Sequence, residues 1–163
     1  MSKPVGLRES VSSPAHIRRI KMAVANKLLG PEYGCPVALM RLQGELTDRE
    51  YDACVYYRTL RADYVRAIDA KELKAQSFGE QRSAPPDPHS AKGVAQAKRE
   101  ATISTDWLYV SRVVRSQGDR LKAVFELVVL DDKDPPGYLA KTEVARVARA
   151  IHTATTQTRR RAK

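Results

Sequence analysis

The stretch Leu46–Ala70, "LTDREYDACVYYRTLRADYVRAIDA", decides the fold class. Thr47 and Glu50 have the T-x-x-E spacing of a capping box, in which hydroxyl and carboxylate each satisfy an orphan amide at a helix start. Leu46 precedes the cap and Tyr51 stands at the fourth helical position, the two sites of a hydrophobic staple. A long helix is expected from Asp48 to about Ala70. Cys54, Tyr57, Tyr64 and Ile68 define one apolar stripe on it, and Tyr51, Val55, Ala62 and Val65 a second. A helix apolar on so much of its surface should be central. The tyrosines could offer a base-stacking surface, but at helical spacing they read first as core.

On the N-terminal side, "GCPVALMRLQG" (34–44) predicts a short helix over 36–43. Before it, Ser13-Pro14 opens a helix, with Ser13 as N-cap and Pro14 at the first helical position. There Ile17, Ile20, Val24 and Leu28 recur at spacings of three and four, which gives one apolar face. Arg18, Arg19, Lys21 and Lys27 lie mostly off it. Residues 1–13 read as a flexible N-terminus.

On the C-terminal side, residues 74–93 are rich in Pro, Ser and Gly without periodicity and read as a mobile linker. Helical pattern resumes near Val94. Thr105 and Asp106 are polar interruptions that could split it. Trp107, Val110, Val113 and Val114 form a stripe, Gly118 is a natural helix stop, and Asp119 is placed to cap the next helix. Leu121, Val124, Phe125 and Val128 follow at i, i+3, i+4 and i+7. A last helix covers about Tyr138–Thr156, with Val144, Val147, Ala148 and Ile151 inward, and 158–163 is a basic tail. The expected architecture is all-α: five or six helices in one domain (14–157), the central helix packed by those at 119–130 and 138–156.

Between the last two helices lies "DKDPPGYLAKTE" (132–143). It matches a calcium-loop pattern at Asp132, Asp134, Gly137 and Glu143. Pro136 supplies no side-chain ligand where an oxygen is needed, and Pro135 stiffens the segment that must wrap the ion. The stretch therefore reads better as an acidic helix end followed by a turn, and no metal or other cofactor is expected. Cys35 and Cys54 stand apart, without zinc or disulfide spacing. His16, His89 and His152 are scattered. No P-loop, G-x-G-x-x-G, G-x-S-x-G or H-E-x-x-H occurs, so the reading is of a non-enzyme. No apolar run approaches a membrane span and no signal-peptide core is present, so a cytoplasmic protein without a membrane partner is expected.

The net charge is +10, and its placement is informative. Residues 1–30 carry six Lys/Arg and one acid; residues 141–163 carry seven and one; the segment between is close to neutral. Basic ends on a neutral body point to a polyanion partner. Lys and Arg neutralise phosphates, and helical DNA readers combine one helix in a groove with basic contacts to the backbone. The candidate nucleic-acid contacts are Arg18, Arg19, Lys21 and Lys27 at one end. At the other they are Lys141, Arg146, Arg149, Arg159, Arg160 and Arg161.

The block "GCPVALMRLQGELTDREYDACVYYRTLRADYVRAI" and the block "LKAVFELVVLDDKDPPGYLAKTEVARVARAI" resemble small helical proteins encoded in bacterial prophages. The shared pattern is a G-x-P-hydrophobic start, an R-L-x-G-x-(I/L)-T turn and a Tyr-containing helix. The resemblance implies a phage-type role and no specific site residues. The expected function is a DNA-binding regulator acting in transcription control or antitermination. The alternatives are a terminase small subunit, which packages DNA as an oligomer, and a helical adaptor that binds polymerase or phage proteins without DNA.

Overall fold

In the computed structural model, the capping box is formed as the sequence expects. The Thr47 amide donates to Glu50 Oε2 at 2.8 Å and the Glu50 amide to Thr47 Oγ1 at 3.3 Å. The structure describes residues 14–25, 35–76 and 90–161. Ser13, Lys27, Leu28, and the segments 1–13 and 77–89 on which the expected flexible N-terminus and most of the expected linker fall, lie outside them. The described residues form six helices: α1 (Pro14–Ala25), α2 (Pro36–Leu42), α3 (Asp48–Gln76), α4 (Ala91–Ser116), α5 (Asp119–Val129) and α6 (Tyr138–Arg161). The fold is all-α, and Glu126–Val129 form the last turn of α5, with Leu130 at its C-cap.

α3 is the central element. Tyr51, Ala53, Cys54, Tyr57, Leu60 and Ala67 are buried along it. Tyr57 sits between Trp107 of α4 and Phe125 of α5, at ring-centroid distances of 5.1 and 5.2 Å, and Tyr64 stacks on Trp107 at 5.6 Å. The tyrosines are thus mainly core, as their spacing suggested. The second predicted stripe is only half right, because Val55 and Val65 are exposed. The main partners of α3 are α6 and α4, with α5 a lesser one. α6 turns Val144, Val147, Ala148 and Ile151 fully inward.

α3 and α6 both run longer than expected, to Gln76 and Arg161. α4 is unbroken through Thr105 and Asp106. The hydroxyls of Thr102, Ser104 and Thr105 donate to the carbonyls of Lys98, Glu100 and Ala101 one turn back, which absorbs polar residues into the helix. At the α4–α5 corner Gly118 has φ +104° and ψ 151° and occupies the N-cap position of α5. Asp119 is the first helical residue rather than the cap, where its charge still favours the amide end of the helix.

The largest departure is α1. Its periodic apolar face exists but points outward: Ile17, Ile20 and Val24 are 44%, 42% and 59% exposed. Arg19 faces the body instead and is 4% exposed. A guanidinium with donors for two acceptors outcompetes three aliphatic side chains at a site that presents carboxylate and carbonyl oxygens.

Candidate nucleic-acid interface

The structure divides the predicted cations into those bound within the fold and those presented outward. Arg19 Nη1 donates to Asp134 Oδ1 at 2.8 Å and to the Asp132 carbonyl at 3.1 Å. In the fold it tethers α1 to the turn after α5, so its donors are engaged internally. Lys141 is likewise committed, pairing with Glu45 and reaching Gln43 Oε1 at 3.4 Å. Both pairings have one cause: acids distant in sequence come within reach once the helices pack.

Arg149 is intermediate. Its Nε and Nη2 donate to Glu50 Oε1 at 3.0 and 2.8 Å, yet its side chain is 72% exposed. Glu50, only 6% exposed, holds the guanidinium at a fixed angle on the surface. Burial alone would raise the Glu50 carboxyl; the bonds from the Thr47 amide, from Arg149 and from the Thr47 hydroxyl outweigh it and set it below its ordinary value. Arg18, Lys21 and Arg146 are exposed, with no carboxylate partner among the described residues. For Arg159, Arg160 and Arg161 the backbone continues α6, and Lys27 lies outside the described residues.

The calcium-loop acids serve the same internal purpose. Arg58 of α3 donates through Nε to the Val129 carbonyl at 2.7 Å and through Nη2 to Asp132 Oδ1. Asp134 receives Arg19, and Glu143 pairs with Arg120 at 3.2 Å. Among the described residues no three His, Cys, Asp or Glu side chains converge as a metal site would need. The turn after α5 is a bracket that two arginines hold from α1 and α3.

The cations left facing outward are arranged on two neighbouring helices. On α6, Thr142, Arg146, Arg149 and Thr153 share one exposed face at spacings of four, three and four. On α4, two adjacent seven-residue rows are exposed throughout: Lys98, Thr105 and Arg112 form one, Ala101, Leu108 and Arg115 the other. Neither face carries Asp or Glu, and Lys98, Arg112 and Arg115 have no carboxylate partner among the described residues.

The two helices run antiparallel. The Tyr109 hydroxyl donates to the Ala154 carbonyl at 3.5 Å, while Gln117 and Gly118 at the end of α4 line one cavity with Thr142, Glu143 and Arg146. Arg112 and Arg115 therefore fall abreast of the 146–151 stretch of α6. Lys98, Arg112 and Arg115 escaped the sequence reading because they lie in the segment of near-zero net charge. The seven-residue recurrence of cation and threonine on α4 was the available signal. No helix among the described residues is long and apolar enough to cross a membrane.

Comparison of the chain with protein families, curated proteins and solved structures yields no match.

Proposed function

We propose that this protein binds duplex DNA through the acid-free faces of α4 and α6, in the phage-type regulatory role that the prophage resemblance implies. The observation that carries the reading is the pairing of two antiparallel helices whose outward rows hold Arg112, Arg115, Arg146 and Arg149 and no acid of their own; Glu50, bonded to Arg149, and Asp119 and Glu143, in the cavity beside Arg146, lie off those rows. Such a face attracts a polyanion. Arg149 is pre-oriented by Glu50, so less rotamer freedom is lost when it meets an acceptor. The Arg159–Arg161 cluster continues the same helix and extends its charge.

The test is fluorescence anisotropy of labelled duplex DNA, titrated from low salt to about 150 mM. Each lost phosphate contact lowers the slope of log affinity against log salt by about 0.9. The Arg112→Ala/Arg146→Ala double variant should lower it by about two, and removal of Thr158–Lys163 should lower it further. Arg19→Met and Lys141→Met, whose cations are engaged internally, should leave the slope unchanged. Absence of DNA affinity above low salt in the full chain would overturn the proposal.

A further inference from the structure

α1 presents a surface that the DNA reading does not use. Ile17, Ile20 and Val24 stand at i, i+3 and i+7 on its outward side, all more than two-fifths exposed. They span about 10 Å of helix. Along the adjoining side of the helix Pro14, Ile17, Met22 and Ala25, with the cations Arg18 and Lys21 among them, line a shallow open depression. The helix contains no acidic residue. Its opposite side is engaged by Arg19 on Asp134, so the apolar face is held outward by a contact of the fold itself.

We propose that the outward face of α1 is a docking site for an acidic amphipathic helix of a partner protein. Apolar anchors at i, i+3 and i+7 are the pattern by which one helix seats another in a groove, and the cations beside them call for carboxylates on the incoming helix. Other occupants fit less well. Duplex DNA has no apolar surface to cover three aliphatic side chains. A second α1 would set Arg18 and Lys21 against their own copies, and like charges across an interface oppose pairing.

The probe is a short stapled helical peptide with leucines at i, i+3, i+4 and i+7 and glutamates on both flanks, labelled for anisotropy and titrated with the full chain. A second probe carries lysines in place of the glutamates. Vesicles containing phosphatidylserine serve as a third arm. The expected result is saturable binding of the glutamate probe, weakened at least about tenfold by Ile20→Glu and measurably by Arg18→Ala/Lys21→Ala. The lysine probe and the vesicles should not bind. Ile20 faces solvent, so the variant should keep the parent's melting temperature and its DNA affinity, which separates this site from the α4–α6 face. Three results would each overturn the proposal: equal binding of both peptides, binding to vesicles that Ile20→Glu abolishes, or self-association of the chain that the same substitution removes.

Discussion

The carboxylate of Glu50 joins the start of α3 to the surface of α6: its Oε2 closes the capping box with Thr47, and its Oε1 receives two donors from Arg149, 99 residues away. Local helix initiation and long-range packing thus share one side chain. Glu50→Ala should lower unfolding free energy by about 1–2 kcal/mol, mostly through the lost cap. Arg149→Ala should lower it by less than about 1 kcal/mol, since the guanidinium is largely solvated. Urea melts of the two single variants and the double variant give the coupling directly.

The same carboxylate makes stability depend on acid. Its folded value lies below the ordinary 4.5. The stabilisation is therefore fully present above the unfolded value and is lost as pH falls through the folded one. The urea midpoint should hold steady from neutral pH down to about 5 and fall below that. Glu50→Gln should flatten this fall, and an unchanged slope in that variant would contradict the assignment.

Arg19 and Asp134 tether α1 to the turn after α5. Asp134 is half exposed, so leaving it unpaired is inexpensive, and the effect of Arg19→Met should be local. Amide exchange across residues 14–25 should accelerate about tenfold, the equivalent of one charge-assisted bond, while the α3 and α6 amides keep their protection. Exchange mass spectrometry separates this from global destabilisation.

Gly118 takes a backbone conformation open almost only to glycine, and a Cβ built there meets no atom within 4 Å. Gly118→Ala should destabilise by about 1–3 kcal/mol through backbone strain alone. Denaturant melts should show a lower midpoint at unchanged slope.

Cys54 is buried and burial pushes its thiol up to about 12, whereas Cys35 is half-buried. A maleimide at pH 8 should modify Cys35 in the native chain and reach Cys54 only after unfolding. Rapid native labelling of both would show that the region around α2 and α3 opens readily.

Much of the fold was legible because the decisive signals are local. The capping box, the i, i+3, i+4, i+7 set on α5 and the inward residues of α6 depend on neighbours within two turns. What escaped was settled across the chain. The length of α3 beyond Ala70 has no strong local signal. The inward turn of Arg19 depends on oxygens more than 110 residues away. The same holds for the candidate site: sequence located Arg146 and Arg149, but the commitment of Lys141 to Glu45 and the emergence of Arg112 and Arg115 as a surface required knowing which helices touch. The calcium-like spacing was real as a pattern, and its acids found arginines instead.

The ion pairs that close this molecule, Arg19 with Asp134, Lys141 with Glu45 and Arg149 with Glu50, span 115, 96 and 99 residues. Contacts at such separations are gained only after the chain entropy of a long loop has been surrendered. We expect them to tighten after α3, α4 and α6 have collapsed around Tyr57 and Trp107, since each needs two oriented side chains as well as a closed loop. Substitutions at these arginines and lysine should hasten unfolding while leaving the refolding rate almost untouched. On that expectation the electrostatic ties act as a brake on opening, and the hydrophobic centre sets how fast the protein forms.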